Sequence, residues 1–215
     1  MKKYLFSLLI VLVIWWLYLY RTSQTPPTET IVATLVTGSI STGDMITTGQ
    51  IPNSSFVTYL LASNSVLWRK ASKATGSHTG TVNIATGTID RDSITRTILS
   101  GVFVMAMDSV KVLDIQDTWF ESKITNDFFE ASTYPQSILV IRGSTLSGAQ
   151  LVITADLTIK NQTHLISFPA TVVATDGTIL VTSSFAINRM IRGLDMRKGM
   201  VNDYLEYNLQ LTFNS

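Results

Sequence analysis

Strict alternation of apolar and polar residues governs the second half of this chain. In residues 151–160 the odd positions are Leu151, Ile153, Ala155, Leu157 and Ile159; the even ones are Val152, Thr154, Asp156, Thr158 and Lys160. Near the end, Leu205, Tyr207, Leu209, Leu211 and Phe213 alternate with Glu206, Asn208, Gln210 and Thr212. A period of two sends successive side chains to opposite faces, so each segment reads as a strand with one buried face. Charged residues are only 14% of the chain, against a usual quarter, and Thr, Ser, Ile and Val replace them. That exchange favours strands over helices.

Further strands are expected over residues 56–62, 65–70, 77–90, 136–143, 163–174 and 178–190. Residues 102–107 are apolar at both phases, which predicts a strand covered on both sides. Asp176-Gly177 and Gly143-Ser144 mark turns. Only residues 119–129 read as helical, because Trp119, Phe120, Ile124, Phe128 and Phe129 recur at spacings of three and four. About eight or nine strands with one short helix suggest a closed antiparallel barrel or a sandwich. Closure removes the exposed strand edges that invite aggregation. A barrel of about eight strands is either filled by its own side chains or holds one small apolar ligand.

The amino terminus has a different character. Lys2 and Lys3 precede an uncharged run from Tyr4 to Tyr20, and Arg21 closes it. Its exit, Trp15-Trp-Leu-Tyr-Leu-Tyr20, is bulky where a cleavable signal has small residues, so a retained single-pass anchor is expected, with a cleaved signal peptide as the rival. Seventeen helical residues span roughly 25 Å, and snorkelling Lys and Arg stems make up the remainder of the hydrocarbon core. The more positive flank stays cytoplasmic, which places everything after Arg21 outside the cytoplasm, in a periplasmic or external space. The expected organisation is a signal anchor over 1–21, a Thr/Ser/Gly-rich tether over 22–53 and one barrel domain over 54–215. A short strand near residues 30–36 is compatible with the tether.

Bulk composition closes off several function classes. Lys2, Lys3 and Arg21 account for three of the 16 basic residues and for none of the 15 acidic ones, so the exported part carries −2. Such a balance offers nucleic acid no electrostatic footprint. The absence of cysteine excludes disulfides, thiol catalysis, iron–sulfur clusters and a lipobox. The two histidines, His78 and His164, stand 86 positions apart without a His-Glu-x-x-His, so no metal or other cofactor is expected. No Gly-x-Ser-x-Gly elbow and no phosphate-cradling glycine loop occur. Asp90/Asp92 and Asp114/Asp117 read as turn carboxylates rather than as an acid–base pair.

Four segments, in order, resemble the YceI-like family of exported lipid-binding barrels. They are Ser65-Val-Leu-Trp-Arg-Lys70 continuing to Gly76-Ser-His-Thr-Gly-Thr-Val82; Met107-Asp-Ser-Val110 with Ile124-Thr-Asn-Asp-Phe-Phe129 and Tyr134-Pro135; Ala155-Asp-Leu-Thr-Ile-Lys-Asn-Gln-Thr163 with Ser167-Phe-Pro-Ala170; and Phe185-Ala-Ile-Asn-Arg189 leading to Asn202-Asp203. Their order across residues 54–215 carries the likeness. The resemblance implies a lipocalin-like antiparallel barrel with a long apolar cavity, and a ligand of the isoprenoid quinone or prenyl pyrophosphate class. The family's usual glycine is replaced by Asn161, which is expected to take the left-handed turn.

The candidate cavity or mouth residues are Trp68, His78, Phe103, Met105, Phe128, Phe129, Leu157, Ile159, Phe185, Ile187 and Arg189. Trp68 would guard an opening. Phe128 and Phe129 would plug a mouth or dock the helix. His78 either meets a headgroup or hydrogen-bonds a neighbouring strand or loop. Arg189, in phase with Phe185 and Ile187, either meets a ligand oxygen or pairs internally with Asp195 or Asp203. The leading functional expectation is non-catalytic binding, carriage or sequestration of a long apolar lipid. A tethered scaffold that holds a protein partner on its outer surface is the alternative, and an enzyme acting on a lipid headgroup is a third. Homodimerisation stays open.

Overall fold

The computed structural model describes residues 31–32, 34–35, 55–62, 66–73, 76–190, 193–194 and 201–215. The expected anchor over 1–21 lies outside the described residues. No helix among the described residues is long and apolar enough to cross a membrane.

The chain order is β1 (Ile31–Val32), β2 (Thr34–Leu35), β3 (Phe56–Leu61), β4 (Val66–Lys73), β5 (Gly76–Asp92), β6 (Ile98–Val112), α1 (Thr118–Lys123) with a π-helical turn (Ile124–Phe128), β7 (Gln136–Ser147), β8 (Gln150–Ile159), β9 (Gln162–Thr175), β10 (Thr178–Asn188) and β11 (Tyr204–Asn214). β5 through β11 pair successively and antiparallel, apart from the β11-to-β5 step. There β3 and β4 share one place in the wall, because each pairs with both β11 and β5. Counting them once gives a ring of eight, which closes at β9–β10. The barrel reading therefore holds over the sandwich.

Alternation explains the wall. Along β8, Leu151, Ile153, Ala155, Leu157 and Ile159 are all buried and face the axis. Where a ladder slips, the inward phase changes. β5 turns Val82 and Ile84 inward, slips between Ile84 and Thr86, and continues inward with Ile89. Each such bulge adds a residue to one strand and bends it, which helps a sheet curl shut. The Asp176-Gly177 turn has both residues at positive φ (42° and 80°), the conformation that suits a two-residue hairpin.

Two expectations are corrected and a third is made specific. In β6, Phe103, Met105 and Met107 are buried, but Val102 is exposed; it sits in an outer row with Leu60, Thr88 and Val140, so the strand is covered on one side only. At the β8–β9 turn, Lys160 rather than Asn161 takes the positive φ, 55°, and its Nζ bonds the Glu130 carboxylate and the Gly193 carbonyl. Lastly, the short strand compatible with the tether is present in two pieces, and both belong to the wall. β9 and β10 pair only from Thr175/Thr178 to Thr171/Thr182. Beyond that seam β1 pairs parallel with Phe185 and Ala186 of β10, and β2 pairs antiparallel with Ser167 and Ile166 of β9. Residues 31–32 and 34–35 thus bridge two strands that have parted. Pro169, which has no N–H to give, stands where the direct ladder stops, and Ser183 Oγ donates to its carbonyl at 2.5 Å.

Candidate functional site

The inward faces of β5 to β11 enclose an empty space of about 990 Å³, part of it open to solvent. Its lining is aliphatic and aromatic along the whole axis: Ile89, Ile98, Leu211 and Phe213 towards one end, Phe103, Ile153, Phe168, Val181 and Phe185 in the middle, and Met107, Leu157, Ile159 and Phe129 towards the other. Among the described residues, polar side chains come to it only from Ser137, Ser183 and Tyr207. Both serine hydroxyls are committed to the wall: Ser137 Oγ donates to the Thr158 carbonyl at 2.7 Å, and Ser183 Oγ to Pro169. Among the described residues no charged side chain lines the space.

Aromatic rings organise one side of it. Phe168 and Phe185 stack with centroids 4.4 Å apart and planes 19° apart, and Tyr207 continues the stack at 5.7 Å. The stack crosses the seam where the β9–β10 ladder is missing, so ring contact joins the two strands on the cavity side. Phe103 meets Phe213 edge-on at 5.9 Å. Offset and edge-on pairs each add about 0.5–1.5 kcal/mol beyond their area.

The cap over one end is built from the helix. Asp117 accepts from the Trp119 and Phe120 amides and starts α1. The π-helical turn then delivers Phe128 and Phe129 as adjacent buried residues, ring edge to ring face at 5.0 Å. Phe129 lines the space, whereas Phe128 sits behind it. Arg189 stands behind Phe128 in turn, with its guanidinium carbon 6.0 Å from that ring.

Arg189 is fully buried and points away from the cavity. Nε donates to the Asn202 carbonyl at 3.0 Å, Nη2 to Val201 at 3.1 Å and Nη1 to Leu194. The Asp203 carboxylate lies 3.7 Å from Nη2. Of the two readings, the internal pair describes its position, with backbone carbonyls as the main partners. Those acceptors compensate the removal of the guanidinium from water. The arginine thus ties the loop before β11 to the end of β10; Asp195 lies outside the described residues.

Of the other expected residues, Phe103, Met105, Phe129, Leu157, Ile159, Phe185 and Ile187 line the space. His78 does not: it is half-buried, its Nδ1 lies 3.1 Å from Asp114 and its ring packs against Phe120 at 5.0 Å, so it fastens β5 to the helix. The Trp68 side chain lies outside the described residues. Reasoning from sequence passed over Ile153, Phe168, Val181, Tyr207, Leu211 and Phe213, although each shares a strand phase with a buried neighbour. The carboxylates of the Asp90/Asp92 pair serve structure. Asp92 accepts from the Ile94 and Thr95 amides, and those bonds, Thr95's foremost, hold its pKa below the ordinary value. Asp90 accepts from Thr58 and Ser100. Among the described residues no cluster of side chains is suited to holding a metal.

Comparison with known proteins agrees with this geometry. Residues 51–213 match the model of the YceI-like domain. A search of curated protein sequences found no match. Among solved structures, Burkholderia cenocepacia BcnA is similar, with TM-score 0.61, 19% identity and coverage of 69% of this chain and 95% of that one. A polyisoprenoid-binding domain from Saccharophagus degradans, implicated in plant cell wall breakdown, matches with TM-score 0.58, 14% identity and coverage of 75% and 99%. The Campylobacter jejuni YCEI protein matches with TM-score 0.53, 16% identity and coverage of 81% and 92%. At these identities the solved structures speak for the fold. The family match spans most of the chain, and the chain belongs to the YceI-like domain family.

Proposed function

We propose that this barrel binds a long apolar lipid of the isoprenoid class and carries or sequesters it outside the cytoplasm, without chemical change. The observation that carries the reading is the apolar space on the barrel axis, whose described lining carries no charge and whose serine hydroxyls are already bonded to the wall. Such a surface rewards hydrocarbon: each CH₂ moved out of water contributes about 0.8 kcal/mol. The likeness to a domain described as polyisoprenoid-binding supports the ligand class. A non-catalytic role is supported by the position of His78, which is held on Asp114 and Phe120 and not in the lining.

The lining also discriminates within the class. A pyrophosphate brought into this space would find no cation among the described lining residues, since Arg189 is turned away and engaged. An isoprenoid quinone or a neutral prenol, whose tail is buried and whose head is uncharged, is therefore the better fit. Native mass spectrometry of the full chain after gentle detergent extraction tests both parts. The expected result is a co-purifying isoprenoid, displaced by ubiquinone at concentrations about tenfold below those needed for a prenyl pyrophosphate of equal tail length. A chain that never carries lipid and takes up neither probe refutes the proposal.

A further inference from the structure

Of the eleven large apolar side chains exposed among the described residues, five lie together at one end of the barrel, while Leu60, Val102 and Val140 sit midway along the wall. Phe56, Leu99, Leu146 and Val173 lie at strand ends beside the β5–β6, β7–β8 and β9–β10 turns, and Ile94 occupies the first of those turns. Ile94 is 75% exposed, Leu146 64% and Phe56 57%. The charges at this end are few. Asp92 is buried and holds its turn, Asp90 is bonded to Thr58 and Ser100, and Arg91 Nε donates to the Arg96 carbonyl. Arg96 and Asp176 remain exposed. The opposite end is highly charged: Lys111, Asp114, Asp117, Glu121, Lys123 and Asp127 surround α1, and the exposed Leu113 and Trp119 sit among them. Single exposed hydrophobic residues are ordinary on a surface, but a cluster on a charge-poor tip is not.

The course of the chain points to the same end. β1 runs parallel to β10, and β10 begins at Thr178 on the apolar tip. At Ile31 the strand therefore runs away from the tip. Ile31 pairs with Phe185, seven residues from Thr178, or about 23 Å along the strand. Residues 22–30 can span at most about 30 Å, which is enough to cover that distance and leave Arg21, with the uncharged run before it, at the tip. A reversal of direction would instead set the bilayer against the charged α1 end.

We infer that the apolar tip docks on a phospholipid bilayer, with Ile94, Leu146 and Phe56 beneath the headgroups and Arg96 among their phosphates. Side chains of this kind enter the boundary between headgroups and acyl chains, where their apolar surface leaves water. The barrel then stands end-on, with the charged α1 end in solution. This docking is independent of the cargo proposed above.

The lack of native cysteine makes the test direct. Ile94→Cys and Leu146→Cys at the tip, and Ser122→Cys on α1, each provide one site for an environment-sensitive fluorophore. The full chain carrying one label is reconstituted in vesicles of phosphatidylethanolamine and phosphatidylglycerol, with or without a nitroxide on the acyl chains. Labels at 94 and 146 are expected to be quenched at least about threefold more than the label at 122. A chain combining Ile94→Asp and Leu146→Asp, labelled through Phe56→Cys, is expected to lose most of the quenching seen with Phe56→Cys alone. Equal quenching at both ends, no quenching at any site, or undiminished quenching in the aspartate variant overturns the docking.

Discussion

A single glycine shows how tightly the wall is closed. A Cβ on Gly101 would stand 2.7 Å from the Thr88 carbonyl oxygen of the adjacent strand, and backbone in a ladder cannot step aside as a side chain can. Gly101→Ala is expected to cost about 1–3 kcal/mol in urea unfolding, the range for overpacking a filled site. Asp92 acts through charge instead. Its folded pKa lies below the ordinary 3.8, so the ionised form is the one the fold prefers. Its contribution is present above pH 3.8 and is lost as pH falls through the lower, folded value. Asp92→Asn should therefore lower the melting temperature at pH 7 and converge on the parent's value below about pH 4, which flattens the acid side of the profile. His78 and Arg189 teach a related point: both are polar residues in an apolar neighbourhood, and both are held by structural partners.

Among the strands, β1 and β2 are the shortest. Each has two residues, yet together they supply the backbone partners of 185–186 on one strand and 166–167 on the other. Deleting residues 31–35 is expected to speed amide exchange at those four positions about tenfold or more, while amides of β7 and β8 keep their protection. Unchanged protection would mean that β9 and β10 close the seam by themselves. The π-helical turn after α1 is the other informative element. It delivers two successive phenylalanines into the core, one facing the cavity and one facing Arg189, so the helix is the barrel's stopper.

For the whole molecule, the decisive quantity is the room left on the axis. Leu139 lies on the lining and is half-buried, so a larger side chain there can grow into the void. Leu139→Trp is expected to lower uptake of a prenol probe about tenfold or more while the far-ultraviolet dichroism of the barrel persists. Equal uptake would mean that the lipid does not use the axis.

Much of the architecture was legible because alternation is a local property. Leu157 and Ile159 could be placed on an inner face from eight or nine consecutive residues, since neighbouring side chains on a strand must point opposite ways. The turn at Asp176-Gly177 was legible for the same reason, its chemistry being contained in two residues. Bulges were not: the slip between Ile84 and Thr86 exists only against a partner strand, and it resets which residues of β5 face inward. Nor could local pattern tell a headgroup arginine from a structural one, because the carbonyls that hold Arg189 come from residues up to 13 positions away. The sequence by itself determined the strands and the apolar face of each; the closing of the ring, the hollow within it and the insertion of residues 31–32 and 34–35 were decided only when strands distant in the chain met, because cavity volume and ladder register are properties of neighbours in space.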